Sequence, residues 1–564
     1  MEKKYIIAHD TGTSSNKAVL VESNGAIIAA SEKSYDFSYP NPGWVEQNPT
    51  DYWQAIATST KDILQQSGIR PEGVVGIVFT TQAMGIIPVD RDDNILHNNI
   101  TWVDGRAERQ AIKLMNRFLG RKVFKAVVGI EITGKDVIPK LMWIKEHLPD
   151  IYSRTAYFLD VNGYLKFRCT GKKVAEWSGA CSYAFNLKKK DWERIFFKLA
   201  GIDTGKLPPL VKSTDLVGGL TPKAADELGL KPGTAVYGGC DDTQSAAIGT
   251  GAIDEGSGHI YLGTSAWVGV MTRRAPKFRH GAVCLQSADP TKNLIVGITE
   301  SAGTNLEWMI ERFYAMEKKH ISTGSIYSLL DSEAMAVPPG ADNLVFTPWL
   351  LGERCPVSTT TTRGTIYNLG LEHKRGHLVR ALSEGIAYNL RWIVENFEND
   401  FGLHLPELRI TGGGSQNHHW MQLFADVTKR KINTTNQPKM AGAIGAAMCA
   451  LVGSRNCQKF RRRAEYRWKN VENLILIRKT RLFTTDCSWI IKTFINHLKK
   501  PINNQTESDS PIRNHHDDKR RNKKTSVRCR QRTASPGVCF RYLGQHKLPD
   551  RRYFYGHYAK WPGI

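Results

Sequence analysis

The sequence predicts an α/β protein of two domains flanking a cleft, followed by a basic extension, and three observations lead there. The run Tyr5-Ile6-Ile7-Ala8-His9-Asp10-Thr11-Gly12-Thr13-Ser14-Ser15-Asn16-Lys17-Ala18-Val19-Leu20 reads as an apolar strand ending on an acid, a Gly-Thr-Ser turn, and a second apolar strand. The same grammar returns at Gly258–Leu262, Gly263-Thr264-Ser265 and Ala266–Val270. Strand-like and helix-like segments alternate around both copies, which argues for a central sheet in each half.

The individual elements follow from periodicity. Val74–Phe79 and Ile86–Asp90 read as buried strands, with Arg91-Asp92-Asp93-Asn94 as a polar turn of hairpin type. Residues 51–66 read as a helix, with Trp53, Ile56, Ile63 and Leu64 on its apolar side. In the second half, His377–Phe397 reads as a helix, Leu408–Thr411 as a strand and the Ala-rich segment Ala441–Leu451 as a helix.

The chain has 564 residues and a formal net charge of +23, but the charge is confined. Residues 454–564 hold 27 Lys+Arg against 8 Asp+Glu, whereas residues 1–453 hold 50 against 46. Arg461–Arg463, Lys519–Lys524 and Arg528–Arg532 are basic clusters in a stretch whose apolar runs are short, at Leu474–Ile477 and Trp489–Ile491. Such a tail could attract RNA or DNA. The preferred reading is a segment fused, or read in a shifted frame, after Gly453, because its patterning contradicts a compact fold. It is expected to be disordered, at least from about residue 500, since it buries too little apolar surface to offset its ordering entropy.

Cys169, Cys181, Cys240, Cys284, Cys355 and Cys449 are scattered through residues 1–453 without a CxxC pair, which reads as buried reduced thiols. Met1–Lys4 leads directly into a strand, no secretory h-region is seen, and no run of about 18 apolar residues offers a membrane span. A cytoplasmic protein with no membrane partner is expected.

Each Gly-Thr-Ser turn offers backbone N–H and hydroxyl donors to phosphate oxygens, and Asp10 at the strand end could hold a hydrated Mg²⁺, an ion usually bound through one or two carboxylates plus substrate phosphates. Two such hairpins a domain apart predict an actin-like (ribonuclease H-like) core binding a nucleoside triphosphate. Between them, Gly238-Gly239-Cys240-Asp241-Asp242 delivers adjacent carboxylates to the head of a small-residue helix. Either could accept a proton from an attacking hydroxyl, or serve as a helix N-cap.

These segments occur in one order with Thr347–Pro356, Arg363-Gly364, Arg380–Ala387, Thr411-Gly412-Gly413-Gly414-Ser415-Gln416-Asn417, Met421-Gln422 and Ala425-Asp426. In this the chain resembles the FGGY carbohydrate kinases from Lys4 to about Gly453. Gly43–Pro49 and Trp102-Val103-Asp104-Gly105-Arg106 make it most similar to the xylulokinases within that family. The resemblance implies ATP- and Mg²⁺-dependent phosphorylation of a sugar hydroxyl. It divides the chain into an N-terminal domain, 1–249, a C-terminal nucleotide domain, 250–453, and the tail, 454–564.

It further implies site residues. Asp242, seven residues before Gly249, would be the general base in preference to Asp241, and Asp10 the metal ligand. Thr13, Ser14, Ser15 and Lys17, with Gly263 and Thr264, would serve the phosphates. Gly303, Glu307, Gly412, Gly413, Gly414 and Asn417 would line the adenosine site. Gln82, Ala83, Met84, Trp102 and Asp104, with Asp242, would face the sugar. Here the chain departs from the pattern: xylulokinases show Gln-Met-His-Gly where this sequence has Gln82-Ala83-Met84-Gly85, and glycerol kinases show Arg-Glu at the positions of Ala83-Met84. A pentulose such as xylulose is the leading substrate expectation; an erythritol-like alditol, or a kinase-like protein with a nucleic-acid-binding tail, is the alternative. A homodimer is left open.

Overall fold

The computed structural model describes residues 3–454 except 119, 129, 278, 360 and 436. The expectations for the tail beyond Ser454 lie outside the described residues.

Two mixed sheets are built to one plan. The first contains β1 (Tyr5–Thr11), β2 (Ser15–Glu22), β3 (Ile27–Ser34), β4 (Val74–Thr81), β5 (Leu216–Gly219), β6 (Ala235–Tyr237) and β7 (Cys240–Asp241). They run in the order β5-β6-β4-β1-β2-β3, with β7 beside β4. The second contains β8 (Gly258–Leu262), β9 (Ala266–Thr272), β10 (Val283–Gln286), β11 (Asn293–Ile298), β12 (Glu407–Thr411) and β13 (Lys431–Thr434), in the order β10-β11-β9-β8-β12-β13. In each, the hairpin strands β1–β2 or β8–β9 pair antiparallel, while β1 or β8 pairs parallel to a later strand, β4 or β12. The repeated hairpin grammar of the sequence is thus the start of a repeated sheet.

Strand alternation distributes the core. Ile7, Leu20, Ile77 and Phe79 enter one cluster with Tyr52, Trp53, Ile56 and Ile63 of helix α1 (Pro49–Ser67). Ile6, Ala8, Val19, Val21 and Val78 point to the opposite face, as period-two geometry requires. Helix α1 starts where Asn48 accepts a hydrogen bond from Thr50 N and Pro49 takes the first position; it ends at Gly68, whose φ of 65° suits glycine.

The further helices used below are α2 (Asp242–Gly249), α3 (Gly303–Phe313), α4 (Arg375–Phe401), α5 (His418–Thr428) and α6 (Ala441–Gly453). Helix α4 extends past both ends of the expected His377–Phe397. Helix α6, last of the second half, lays Ala443, Ala446, Ala447, Ala450 and Leu451 on the face of the first sheet opposite α1. It crosses α2 through glycines: a Cβ at Gly249 would overlap the Ala441 carbonyl, and one at Gly445 the Ser245 carbonyl. Small residues let these two helices approach to backbone contact and lie between the two sheets. The six cysteines among the described residues are all free. No described helix is long and apolar enough to cross a membrane.

Candidate active site

Sheet register sets the carboxylates. Asp10 pairs with Lys17 across the hairpin and stands level with Thr80 of β4, which in turn stands level with Cys240 of β7. Asp242 follows one residue after β7, in the first turn of α2. Asp241 ends the strand, is 3 % exposed, and receives no side-chain cap bond. Burial pushes the Asp242 carboxyl up to about 6, and the Asp10 charge adds to the rise. Burial also raises Asp10, against the pull of Lys17. Lys17 is lowered by burial but carried upward on balance by Asp10, Tyr261 and Glu32.

Asp10 also meets the start of α6, where a Cβ on Gly442 would overlap its carboxylate. A carboxylate beside a helix N-terminus is favoured by the helix dipole. A Mg²⁺ ion bound together with nucleotide phosphates needs one or two protein carboxylates. Asp10, in its glycine-lined recess and electrostatically coupled to Asp242, fits that requirement.

The first turn is closed by Gly12 N donating to Ser15 O at 3.0 Å and is braced by Tyr35, whose hydroxyl donates to Gly12 O and Ser15 O. Gln47 Nε2 donates to Thr13 O at 2.9 Å, and Trp102 Nε1 to Thr13 Oγ1 at 3.1 Å. The N–H groups of Thr13 and Ser14 make no hydrogen bond among the described residues. The hydroxyl of Ser15, expected on the phosphate side, donates to Glu32 at 2.6 Å and so braces the turn.

The second turn repeats this closure. Gly263 N donates to Ser265 O at 2.9 Å, and Thr264 O accepts from Ala302 N and Thr304 N. Gly303 N donates to Gly263 O at 3.0 Å, which ties the N-terminus of α3 to the turn; a Cβ at Gly303 would come 2.7 Å from that same oxygen. A helix N-terminus beside donor-rich backbone favours an anion. Next along the sheet, Gly412 has φ 91° and packs against Leu262, while Gly413 has open space where a side chain would stand. Glycines permit this close approach.

Two residues expected to line the adenosine site have other commitments. Asn417 caps α5 by accepting from His419 N and Trp420 N, and its amide donates to Asp331 at 2.5 Å. Glu307 accepts from the Tyr327 hydroxyl.

On the sugar side, Gln82 and Trp102 come to the first turn, whereas Asp104 does not. Asp104 is fully buried and accepts from Val45 N, Arg106 N and the Arg106 guanidinium, which also pairs with Glu46 and lies 4.1 Å from the Trp44 ring centroid. Both of its oxygens accept hydrogen bonds within that network. Ala83 and Met84 form the bend after β4, with Met84 at φ 62°, a left-handed value uncommon outside glycine and asparagine. Met84 packs partly against the apolar cluster of Trp143 and Ile86. Gln47, Tyr35, Glu32 and Gly442 were not singled out as site residues by sequence reasoning; Gln47 lies within the Gly43–Pro49 motif, which was the one available signal.

Residues 5–249 match the profile of the N-terminal domain of the FGGY family of carbohydrate kinases, and residues 258–454 that of its C-terminal domain. The chain belongs to the FGGY family of carbohydrate kinases. It is an ATP-dependent sugar kinase, a phosphotransferase with an alcohol acceptor. It is 32% identical to the xylulose kinase of Bacillus subtilis over 454 residues, which is 80% of this chain and 88% of that protein. It is 27% identical to the gluconokinase of the same organism over 460 residues, 81% of this chain and 89% of that protein. A crystal structure of ligand-bound xylulose kinase from Lactobacillus acidophilus superimposes with a TM-score of 0.78 at 24% identity, covering 88% of this chain and 98% of the other. Each mixed sheet lies within one of the two matched FGGY domains.

Proposed function

We propose that this FGGY kinase transfers the γ-phosphoryl group of ATP to a hydroxyl of a ketopentose such as xylulose, with Asp242 as general base. The observation that carries this reading is the position of Asp242: one residue beyond β7, coupled to Asp10, with a carboxyl poised near 6. A base of that strength is mostly ionised at neutral pH and retains useful proton affinity. The acceptor hydroxyl gives its proton to the Asp242 carboxylate as its oxygen bonds to the γ-phosphorus, and the bond to the ADP oxygen breaks. The products are the sugar phosphate, ADP and a proton on Asp242.

Phosphoryl transfer asks chiefly for positioning and charge neutralisation. The free N–H groups of Thr13 and Ser14, and the turn Gly263-Thr264 with the α3 N-terminus, supply donors from two sides. Lys17 adds positive charge, and Gly412–Gly414 leaves room for the nucleoside. Mg²⁺, when bound beside Asp10, supplies further neutralisation of phosphate charge. Trp102 and Gln82 orient the sugar, with Ala83 and Met84 in the same wall.

The similarity to xylulose kinases favours a pentulose, while similarity to gluconokinases makes gluconate the second reading. A panel of D-xylulose, other ketoses, gluconate, erythritol and related alditols, followed by coupled ADP detection, tests it. D-xylulose is expected to give the highest kcat/KM. A higher value for gluconate or an alditol overturns the substrate assignment, and absence of turnover with every polyhydroxy acceptor overturns the kinase mechanism.

A further inference from the structure

A chain of buried amides and hydroxyls joins the sugar wall to the first phosphate turn. Asn99 Nδ2 donates to the Tyr52 hydroxyl at 2.8 Å, and Gln82 Nε2 reaches the same oxygen at 3.2 Å. With two protons arriving, the Tyr52 oxygen sends its own proton to Gln47 Oε1, 2.7 Å away. Gln82 Nε2 also donates to Gln47 Oε1 at 2.9 Å. That oxygen is therefore an acceptor, and the orientation of the Gln47 amide follows: its nitrogen must face Thr13 O, to which it donates at 2.9 Å. Gln47, Tyr52, Gln82 and Asn99 are each 1 % exposed or less.

The same turn is gripped at a second atom. Trp102 Nε1 occupies a lone pair of Thr13 Oγ1, which leaves the hydroxyl proton to be donated outward. Within this network one buried acceptor, Gln82 Oε1, has no partner among the described residues. An unfilled buried acceptor is unfavourable, and a donor that reaches it tightens the whole chain.

We propose that Gln47 is a positioning residue that couples occupancy of the sugar wall to the geometry of the Thr13 turn, so that nucleotide phosphates are gripped fully only when sugar is in place. A sugar hydroxyl donated to Gln82, or a sugar ring resting on Trp102, holds the two groups that grip Thr13 O and Thr13 Oγ1. The free N–H groups of Thr13 and Ser14 are then fixed toward the phosphates. The coupling rests on the reading of this turn as a phosphate site given above.

The test is the affinity for a non-hydrolysable ATP analogue, measured by calorimetry with and without D-xylulose, in the full-length protein. Wild type should bind the analogue at least about fivefold more tightly with sugar present, the lower end of ordinary coupling between sites. Gln47→Glu keeps an acceptor for Tyr52 and Gln82 but replaces the donor facing Thr13 O with an oxygen; Gln47→Leu removes both functions. In each the sugar-dependent gain should fall to about twofold or less, with ATP KM raised more than kcat is lowered. Hydrogen exchange in the wild type provides a readout that needs no variant: sugar should slow exchange of the Thr13 and Ser14 amides. Unchanged exchange, or Gln47 variants that keep the full gain, overturns the proposal. If Asp242→Asn still turns over at the wild-type rate, the assignment of the site itself fails; if that variant is crippled while Gln47 variants keep the gain, only the coupling fails.

Discussion

The Asp10 carboxylate occupies the space that a Gly442 side chain would fill. This relationship joins the first strand of the chain to its last described helix, and it makes a small residue at the head of α6 a requirement of the site. Gly442→Ala should leave the helix intact, since alanine has the higher helix propensity by about 1 kcal/mol, yet displace the carboxylate. We expect turnover to fall at least about tenfold, the effect that about 1.4 kcal/mol has on a rate, and the Mg²⁺ concentration for half-maximal rate to rise. Wild-type Mg²⁺ dependence in a coupled assay would contradict the relationship.

The adjacent carboxylates should separate sharply by mutation. Asp242→Asn keeps shape and loses proton affinity, and the loss of a general base lowers rate by about 10² to 10⁴. Nucleotide binding should persist, measured by calorimetry. Asp241→Asn should be milder, because Asp241 is buried at the strand end. A crippled Asp241→Asn beside an active Asp242→Asn would exchange their roles.

The pH profile follows from the same pair. The base works ionised, so kcat/KM for sugar should fall below about pH 6, with unit slope on a logarithmic plot, as Asp242 takes up a proton. Asp10 contributes to the raised value through its charge; Asp10→Asn should therefore move the limb to lower pH in whatever activity remains. An acid limb that persists unchanged in the residual activity of Asp242→Asn would assign it to another group.

Glu353 offers a stability test away from the chemistry. It is 5 % exposed, accepts from Glu300 N, Arg354 N and Asn389 Nδ2, and burial pushes its carboxyl up to about 8. The folded state thus retains a proton that the unfolded state releases from about pH 4.5 upward. Its contribution to stability declines as pH rises through that window, by up to roughly 1.4 kcal/mol per pH unit, and levels off above the folded value. Glu353→Gln cannot ionise and should be less pH-sensitive than wild type in urea unfolding compared at pH 5 and pH 8. An equal pH dependence in both proteins would show that Glu353 does not titrate in this way.

The local grammar of the sequence carried far. Alternating apolar residues, a terminal acid and a Gly-Thr-Ser turn were enough to locate both hairpins, because strand pairing across a tight turn depends on neighbours within about twenty residues. The head of α2 was legible for the same reason, as a Gly-Gly turn and two acids before small residues. Family-wide motif order then implied a preference for Asp242 that residue chemistry left open between Asp241 and Asp242.

Side-chain partners were decided only in three dimensions. Ser15 meets Glu32, Asp104 meets Arg106 and Val45, and Gln47 meets Thr13, Tyr52 and Gln82. Several of these pairings span 17 to 59 residues and leave no periodic trace in the chain. The tertiary structure also carried α6 onto the first sheet and Gly442 against Asp10. The sequence by itself determined which backbone segments could become strands, turns and helices, since those preferences are short-range. Which hydroxyl remains free for a ligand and which is consumed by a neighbour depends on packing between distant segments, and that was settled only when the chain folded.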